Sequence, residues 1–115
     1  MNIANKLIEF ALGEKALPVN AAHILNLSIL DWVSVSLSGV SEPVSKIVRE
    51  CFLEEGGNPE AFVLGSNKKA PSRLAALVNG TISHALDYDD THFINLLHPT
   101  AVVLPTVLAL SEKYN

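Results

Sequence analysis

Glycine and proline residues divide this chain into segments whose apolar residues recur at helical spacing. The first segment runs from Ile3 to Leu12 and ends at Gly13. The second follows Pro18, which suits a first helical turn, and extends to Val40. Its apolar residues at three-to-four spacing are Ile24, Leu27, Leu30, Val33 and Leu37. The pattern predicts a mostly α-helical fold.

Three further helices are predicted by the same signals. Ser41-Glu42-Pro43 offers a capping residue and a first-turn proline, and the helix that follows is expected to end near Glu55, before Gly56-Gly57. Ala70-Pro71-Ser72 begins a fourth helix, and His98-Pro99 begins a fifth. The residues of the fourth helix that we expect to face inward are Leu74, Leu77, Val78, Ile82 and Leu86.

Three features interrupt this helical pattern. Gly80 lies inside the fourth helix, where it costs about 1 kcal/mol relative to alanine and so predicts close contact with another backbone. Pro105 lies inside the fifth helix and removes one backbone hydrogen bond. Ala61 to Gly65 is the only extended segment predicted, and it is too short to make a sheet alone.

The composition is apolar for a chain of 115 residues, with 49% hydrophobic and only 17% charged residues. Small domains have a high surface-to-volume ratio and need more polar surface than this. The longest uninterrupted apolar run, Ala101 to Leu110, is about half of what a membrane span requires, and the N-terminus does not resemble a secretory signal. We therefore expect no membrane, and a chain that packs on further protein, either a second copy or a complementary chain.

Charge and cysteine content exclude several classes of protein. The formal net charge is −4 and the basic residues form no stripe, so nucleic acid is not an expected partner. The single cysteine, Cys51, allows no internal disulfide and no cysteine-based zinc site, which fits a cytoplasmic location. Cys51 is expected to be a small buried residue, and Trp32 is expected to lie in the core.

The residues between the fourth and fifth helices carry the chemistry. Three aspartates, three histidines and a threonine fall within fifteen residues: His84, Asp87, Asp89, Asp90, Thr91, His92 and His98. Titratable groups held between apolar segments are where acid–base sites tend to occur. His98, immediately before Pro99, is expected near free backbone N–H groups of a helix N-terminus, which attract an anion such as a ligand carboxylate.

The aspartates cannot all face one anion site. At about 4 Å and an effective dielectric constant of about 20, each like-charged pair costs about 4 kcal/mol. We predict that Asp87 faces the site and that Asp89 or Asp90 turns away to hold the loop backbone or a helix start. Any of the three could instead be an ordinary turn residue, and His84 and His92 could be structural histidines.

Two other functions fit parts of this segment. Residues 87–91, DYDDT, match the DxDxT motif of magnesium-dependent phosphohydrolases, which requires a β-strand directly before it, whereas the sequence here continues a helix. The side chains of Asp87, Asp90, His92 and His98 are all of metal-binding types, but their spacing matches no defined metal motif.

With these residues considered together, the chain resembles the amino-terminal part of the MmgE/PrpD family. The resemblance rests on Asp31-Trp32 with Gly39, on VLG at 63–65, on AALVNG at 75–80, on HALDYDDT at 84–91, and on His98-Pro99 followed by VVLPTVLALSE. Members of that family dehydrate 2-methylcitrate, decarboxylate cis-aconitate or epimerise iminodisuccinate. The matches cover nearly the whole chain in order.

The resemblance implies part of a helical domain that, in complete members, pairs with a smaller α+β domain and forms homodimers. It also implies a site for small polycarboxylates that needs neither metal nor cofactor, with Asp87, Thr91 and His98 as its catalytic residues. His98 would act as acid or base, Asp87 as its polar partner or a substrate contact, and Thr91 as a hydrogen-bond donor.

The chain ends at Asn115, about a quarter of the way through such a protein, without the α+β domain and the downstream lysine and histidine residues of the family's site. We therefore expect an N-terminal fragment of a 2-methylcitrate dehydratase-like lyase or isomerase that is inactive alone. The alternative is a non-catalytic helical remnant or dimerisation module.

Overall fold

The computed structural model describes residues 2–13 and 16–115 and is mostly α-helical over that range. Five helices are present: α1 (Ile3–Leu12), α2 (Val19–Gly39), α3 (Pro43–Glu55), α4 (Ser72–His84) and α5 (Pro99–Tyr114). Two short strands, β1 (Ala61–Phe62) and β2 (Lys69–Ala70), pair antiparallel between α3 and α4. The predicted fold class is confirmed.

Most of the capping residues and helix ends predicted from the sequence are confirmed. Asn2 accepts a hydrogen bond from the Ala4 amide and caps α1, and Pro43 occupies the first turn of α3. Two details differ from the prediction. Pro18 is the N-cap of α2 rather than part of its first turn, and the N-cap of α3 is Glu42 rather than Ser41.

Helix α4 lies at the centre of the fold and packs against α2, α3 and α5. The inward face of α4, with the two strands and the end of α5, forms the hydrophobic core: Ala61, Val63, Ala70, Leu74, Ala75, Val78, Ile82 and Ala109. Trp32 of α2 is also buried, as predicted. Burial of this kind contributes about 25 cal/mol for each Å² of apolar surface removed from water, so the stability of the chain is concentrated around α4.

Two glycines let helices approach α4 closely. A Cβ atom at Gly80 would lie 2.9 Å from the carbonyl oxygen of Ala101, which confirms the backbone contact predicted there. A Cβ atom at Gly39 would lie 2.3 Å from the carbonyl oxygen of Ile82. Both distances are shorter than carbon and oxygen tolerate without displacement, so α2 and α5 each reach α4 where a side chain is missing.

A buried asparagine ties the strand region to α4. The Asn79 side chain accepts a hydrogen bond from the Leu64 amide and donates one to the Phe62 carbonyl, both at 2.9 Å. Through these two bonds the Asn79 side chain pairs with the backbone of residues 62–64, as a neighbouring strand would.

The second strand, β2, was not predicted from the sequence. Its two residues, Lys69 and Ala70, are too few to show a periodicity.

Several expectations about burial were wrong. Leu77 and Leu86 are exposed rather than inward-facing, and Cys51 is exposed rather than buried. Cys51 lies on a face of α3, and Leu77 on a face of α4, that no described residue covers, and Leu86 lies just past the end of α4. Helical spacing alone does not show which face of a helix is covered. The apolar residues of α2 at three-to-four spacing, for which no burial was predicted, are exposed: Ile24, Leu27, Leu30, Val33 and Leu37.

Among residues 2–13 and 16–115, α2 is the one helix whose length and hydropathy would allow it to cross a membrane. The uninterrupted apolar runs of the sequence did not indicate this. One such helix is weak evidence of a membrane span, because core helices of soluble proteins and N-terminal signal sequences share its length and hydropathy. The buried residues of α2 lie in its second half: Trp32, Val35, Ser36 and Gly39. The absence of a membrane partner stays a prediction.

Candidate active site

The chain reverses direction directly after α4. The Asp87 amide donates to the carbonyl of His84 at 3.0 Å, and Asp87 has a φ of +50°. Aspartate tolerates this left-handed conformation better than most residues because its short side chain can bond locally. The turn brings residues 87–90 back beside the last turn of α4, towards the start of α5.

Two aspartates anchor this loop to the helices around it. The Asp31 side chain of α2 accepts a hydrogen bond from the Asp90 amide at 3.2 Å. The Asp90 carboxylate in turn accepts bonds from the amide and the hydroxyl of Thr100, at 3.2 and 2.5 Å. Asp90 is thus an N-terminal cap of α5, as predicted for one of the two later aspartates. It occupies part of the helix N-terminus at which we had expected a ligand carboxylate.

Four side chains from α4, the loop and the start of α5 meet beside this anchor, and we call them the polar cluster: His84, Asp87, Asp89 and His98. Asp89 Oδ1 lies 2.9 Å from His84 Nδ1 and 3.4 Å from His98 Nδ1. Asp87 Oδ1 lies 3.4 Å from His98 Nε2 and 3.9 Å from His84 Nε2. Each imidazole therefore lies between the same two carboxylates.

The two carboxylates differ in their exposure to solvent. The Asp89 side chain is 1% exposed, whereas that of Asp87 is 78% exposed. A buried carboxylate is costly unless charged or hydrogen-bonding groups surround it, and here the imidazoles do so. Asp87 is at the outer edge of the polar cluster, where a ligand could compete with it for the Nε2 atoms.

The structure brings together two of the three residues predicted to be catalytic. Asp87 and His98 are in contact through Oδ1 and Nε2, on the outer side of the cluster. Thr91 is not part of the cluster, because its hydroxyl donates to the Asp89 carbonyl at 3.4 Å. It lines a second depression, between α2 and α5, together with His92 and Thr100. The catalytic roles of Asp87, Thr91 and His98 stay predictions.

Two cluster residues, Asp89 and His84, were not recognised from the sequence. Either Asp89 or Asp90 was expected to turn away and hold the loop backbone or a helix start; Asp90 does so, whereas Asp89 is the buried centre of the cluster. The feature that could have indicated this contact is the end of α4 at His84. If the chain turns back there, the residue five positions later, Asp89, lies against the last turn of the helix. Without knowing that Asp87 makes that turn, this geometry could not be deduced.

The two imidazoles line a depression between α4 and α5 with a volume of about 1200 Å³. We call it the main depression, because it is larger than the one beside Thr91. Most of its lining is apolar, including Leu77, Leu97 and Val102, and Arg73 also lines it. Arg73 also pairs with Glu55 at 3.2 Å. The arrangement places proton-carrying groups at one end of a largely apolar cleft, which is the usual form of a small-molecule site.

The polar cluster could also hold a divalent cation, because one ligand atom from each residue lies within 4.8 Å of the others. Imidazole and carboxylate ligands suit several transition metals. Of the residues considered as metal ligands from the sequence, Asp87 and His98 belong to this group, whereas Asp90 and His92 do not. The expectation of no metal and no cofactor stays a prediction.

The phosphohydrolase alternative does not fit the structure. The DxDxT motif requires a strand that ends just before Asp87, and residues 72–84 instead form α4, followed by a turn. Without that strand, the first aspartate would not be presented at the edge of a sheet as the motif requires.

Comparison with known proteins finds the family that the sequence motifs resemble. A family model described as the MmgE/PrpD N-terminal domain matches residues 4–115. The cis-aconitate decarboxylase-like protein oryM of Aspergillus oryzae is 31% identical over 94 residues, 80% of this chain and 18% of that protein.

Two mammalian proteins are also similar. The mouse cis-aconitate decarboxylase is 35% identical over 85 residues, which are 73% of this chain and 17% of that protein. The human cis-aconitate decarboxylase is 33% identical over 85 residues, 73% of this chain and 18% of that protein. The match thus spans less than a fifth of each relative. The chain belongs to the MmgE/PrpD family and corresponds to its N-terminal domain.

Proposed function

We propose that this member of the MmgE/PrpD family forms the N-terminal part of a lyase that acts on a small polycarboxylate at the polar cluster. The observation that carries the proposal is the contact between the exposed Asp87 and Nε2 of His98, a histidine that also lines the main depression. The names of the relatives favour a tricarboxylate of the cis-aconitate type as the substrate to test first. Dehydration of 2-methylcitrate and epimerisation of iminodisuccinate are the other reactions to compare.

The cluster suits proton transfer beside a carboxylate. In a decarboxylation, the C–C bond to the departing carboxylate breaks, its electron pair stays on the carbon skeleton, and CO₂ leaves. The skeleton then takes up a proton, which a protonated His98 could donate from Nε2. A substrate bound at the outer edge of the cluster would displace the contact between Asp87 and His98.

Charge balance supports a site that is completed by further protein. A tricarboxylate carries three negative charges, and the polar cluster adds two aspartates. Of the lysines and arginines within residues 2–13 and 16–115, Arg73 alone lines the main depression, and it is already paired with Glu55. Further cationic groups are needed to bind such a substrate, so we propose that residues 1–115 alone do not turn it over.

The apolar surface supports the same conclusion. Helix α1 has no buried residue, and large hydrophobic side chains on α1 and the first half of α2 are exposed: Ile3, Leu7, Ile8, Phe10, Leu12, Val19, Ile24, Leu25, Leu27 and Leu30. Exposed apolar patches of this extent are typical of interaction sites. We propose that the remainder of a family fold, or a second copy of the chain, covers them. A chain that forms a stable dimer without any catalytic role would support the dimerisation module instead.

The test replaces the 17% of mouse cis-aconitate decarboxylase that aligns with this chain by the corresponding residues of the chain. We expect the folded chimera to release CO₂ from cis-aconitate, and the 115-residue chain alone to release none. In the chimera, His98→Gln should abolish turnover, because the proton-carrying nitrogen is lost. His92→Gln, a change of the same type outside the cluster, should not.

Two results would contradict the proposal. A folded chimera that turns over none of the three substrates would remove the lyase assignment. A chimera in which His98→Gln and His92→Gln are equally active would remove the polar cluster from the site.

A further inference from the structure

Asp89 contacts the same nitrogen atom of two different imidazoles. Its side-chain Oδ1 lies 2.9 Å from Nδ1 of His84 and 3.4 Å from Nδ1 of His98. The main-chain carbonyl oxygen of Asp89 lies 3.2 Å from Nδ1 of His98. The two ring centroids are 4.8 Å apart, so one residue faces the inner edge of a pair of neighbouring imidazoles.

The chemistry of these oxygens decides where the imidazole protons lie. A carbonyl oxygen and an ionised carboxylate only accept hydrogen bonds, so a nitrogen that faces them has to carry the proton. A neutral imidazole has one N–H, and the other nitrogen then has a free lone pair. In water, the neutral histidine side chain prefers the opposite tautomer, with the proton on Nε2.

We propose that Asp89 is a positioning residue that holds both histidines in the Nδ1–H tautomer. It acts on His84 through its side chain and on His98 chiefly through its main-chain carbonyl. Both Nε2 atoms are thereby left as proton acceptors on the outer side of the cluster. The inference deepens the proposed function, on which its catalytic meaning rests.

The outer side of the cluster shows what this arrangement provides. The Nε2 atoms of His98 and His84 lie 3.4 and 3.9 Å from the same oxygen of Asp87, the exposed carboxylate. Neither of these approaches has hydrogen-bond geometry, whereas Asp89 is hydrogen-bonded to both Nδ1 atoms. Because the Asp87 side chain is exposed, it can turn into solvent, and two proton-accepting nitrogens then face one solvent-accessible position. A site built in this way has a second proton carrier, His84, next to His98.

The burial of Asp89 supports a role beyond stability. Its side chain is 1% exposed, and its Oδ2 has no hydrogen-bond partner within the described part of the chain. A buried carboxylate with one unsatisfied oxygen is a poor stabilising element, because its desolvation is only partly compensated. Its contacts with the two imidazoles are the feature that accounts for its position. The relation is like that of the buried aspartate that orients the histidine of a serine-protease triad.

The first test uses the unaltered 115-residue chain, labelled with ¹⁵N, with a chelator present so that no cation occupies the cluster. Long-range ¹H–¹⁵N spectra of the imidazoles at about pH 8, where an ordinary histidine is neutral, distinguish the protonated nitrogen of each ring. We expect the Nδ1–H form to predominate for both His84 and His98, and the Nε2–H form for the exposed His23. Predominance of the Nε2–H form in His84 would overturn the inference.

The second test separates the two oxygens of Asp89. In Asp89→Ala the side chain is removed but the carbonyl remains, so the main form of His84 should change to Nε2–H while His98 keeps Nδ1–H. Asp87→Ala, which removes the exposed carboxylate of the same cluster, should leave both tautomers unchanged. A folded Asp89→Ala chain in which His84 keeps its proton on Nδ1 would contradict the proposal. If this variant does not fold, the spectra of the unaltered chain still decide the question.

The tautomers found in these two NMR tests do not depend on catalysis. The spectra report the position of a proton whether or not the chain turns over a substrate. The expected tautomers in an inactive chimera would remove only the proposed function. Unexpected tautomers in an active chimera would remove only the role of Asp89.

Discussion

The two ends of this chain contain helices of similar apolar character in very different surroundings. Around α4, the side chains of Leu74, Val78 and Ile82 are buried, and α5 reaches within backbone contact at Gly80. In α1 and the first half of α2, no described residue is buried. Apolar residues recur at helical spacing in both regions. Periodicity therefore predicts that a helix forms, but not whether the chain itself contains what covers it.

This difference in burial between the two regions agrees with the partial coverage of the relatives. The match spans 17–18% of each relative, and α1 and the first half of α2 carry apolar side chains that no described residue covers. The polar cluster belongs to the well-packed region, since α4 and α5 supply its two histidines. The site's geometry is thus held by the part of the fold that is complete within these residues.

The largest expected effect compares one isoleucine from each region. Ile82→Ala removes a fully buried side chain from the core and should lower the free energy of unfolding by about 2–5 kcal/mol. Ile24→Ala, the same change at a side chain that is 60% exposed, should alter it by no more than about 0.5 kcal/mol. Urea unfolding of the chain followed by circular dichroism measures both. Equal losses would show that α2 is packed in solution as tightly as α4.

A smaller effect is expected at the close contacts of α4. Gly80→Ala and Gly39→Ala each place a methyl group against a backbone carbonyl, of Ala101 and Ile82 respectively, and should destabilise the chain by about 1–3 kcal/mol. Gly39→Ala should cost more, because its Cβ would lie 2.3 Å from that oxygen rather than 2.9 Å. In a helix without such contacts, the same change stabilises by about 0.5–1 kcal/mol. A stabilising result in the same unfolding assay would contradict the packing of α2 and α5 on α4.

The smallest effect concerns pH. A hydrogen bond from the Ser72 amide at the start of α4, assisted by Lys113, lowers the pKa of Glu60 below its usual value of 4.5. Because this pKa is lower in the folded chain than in the unfolded chain, ionised Glu60 stabilises the fold at neutral pH. That contribution should decline as the pH falls past 4.5 and be absent below the folded-state pKa.

Glu60→Gln should therefore be less stable than the unaltered chain at pH 7, and the difference should disappear in acid. Glu54→Gln, which removes an exposed glutamate of α3, controls for net charge. Thermal unfolding across this pH range provides the measurement. A difference between Glu60→Gln and the unaltered chain that does not change with pH would mean that the Glu60 charge does not stabilise the start of α4.

The five helices and part of the candidate site could be predicted from the sequence. Proline and glycine signals are local, so the ends of α1, α3 and α4 could be predicted to within a residue or two. The meeting of Asp87 with His98 was predicted because the two bracket the loop and match active-site positions of the family that the sequence resembles. The length of the loop, residues 85–98, would not have been enough, since a loop of that length can bring almost any two of its side chains together. The burial of Asp89 could not be predicted, since it depends on the turn at Asp87 and on contacts from two helices.

The helix caps illustrate the same limit. Glu60 accepts a bond from an amide twelve positions away, and Asp90 from one ten positions away. Capping patterns in a sequence are recognised only when the cap lies next to the helix it serves. Both of these caps come from a preceding loop and require the tertiary fold.

The hydrogen bond from the Asp90 amide to Asp31 joins residues 59 positions apart. A contact that closes so long a stretch of chain forms only after its two ends have been brought together, so it belongs to a late stage of folding. The segment that carries the cluster should therefore acquire its final shape only when α2 has docked. Exchange of the Asp90 amide proton with solvent would then report the docking of α2 beside the loop.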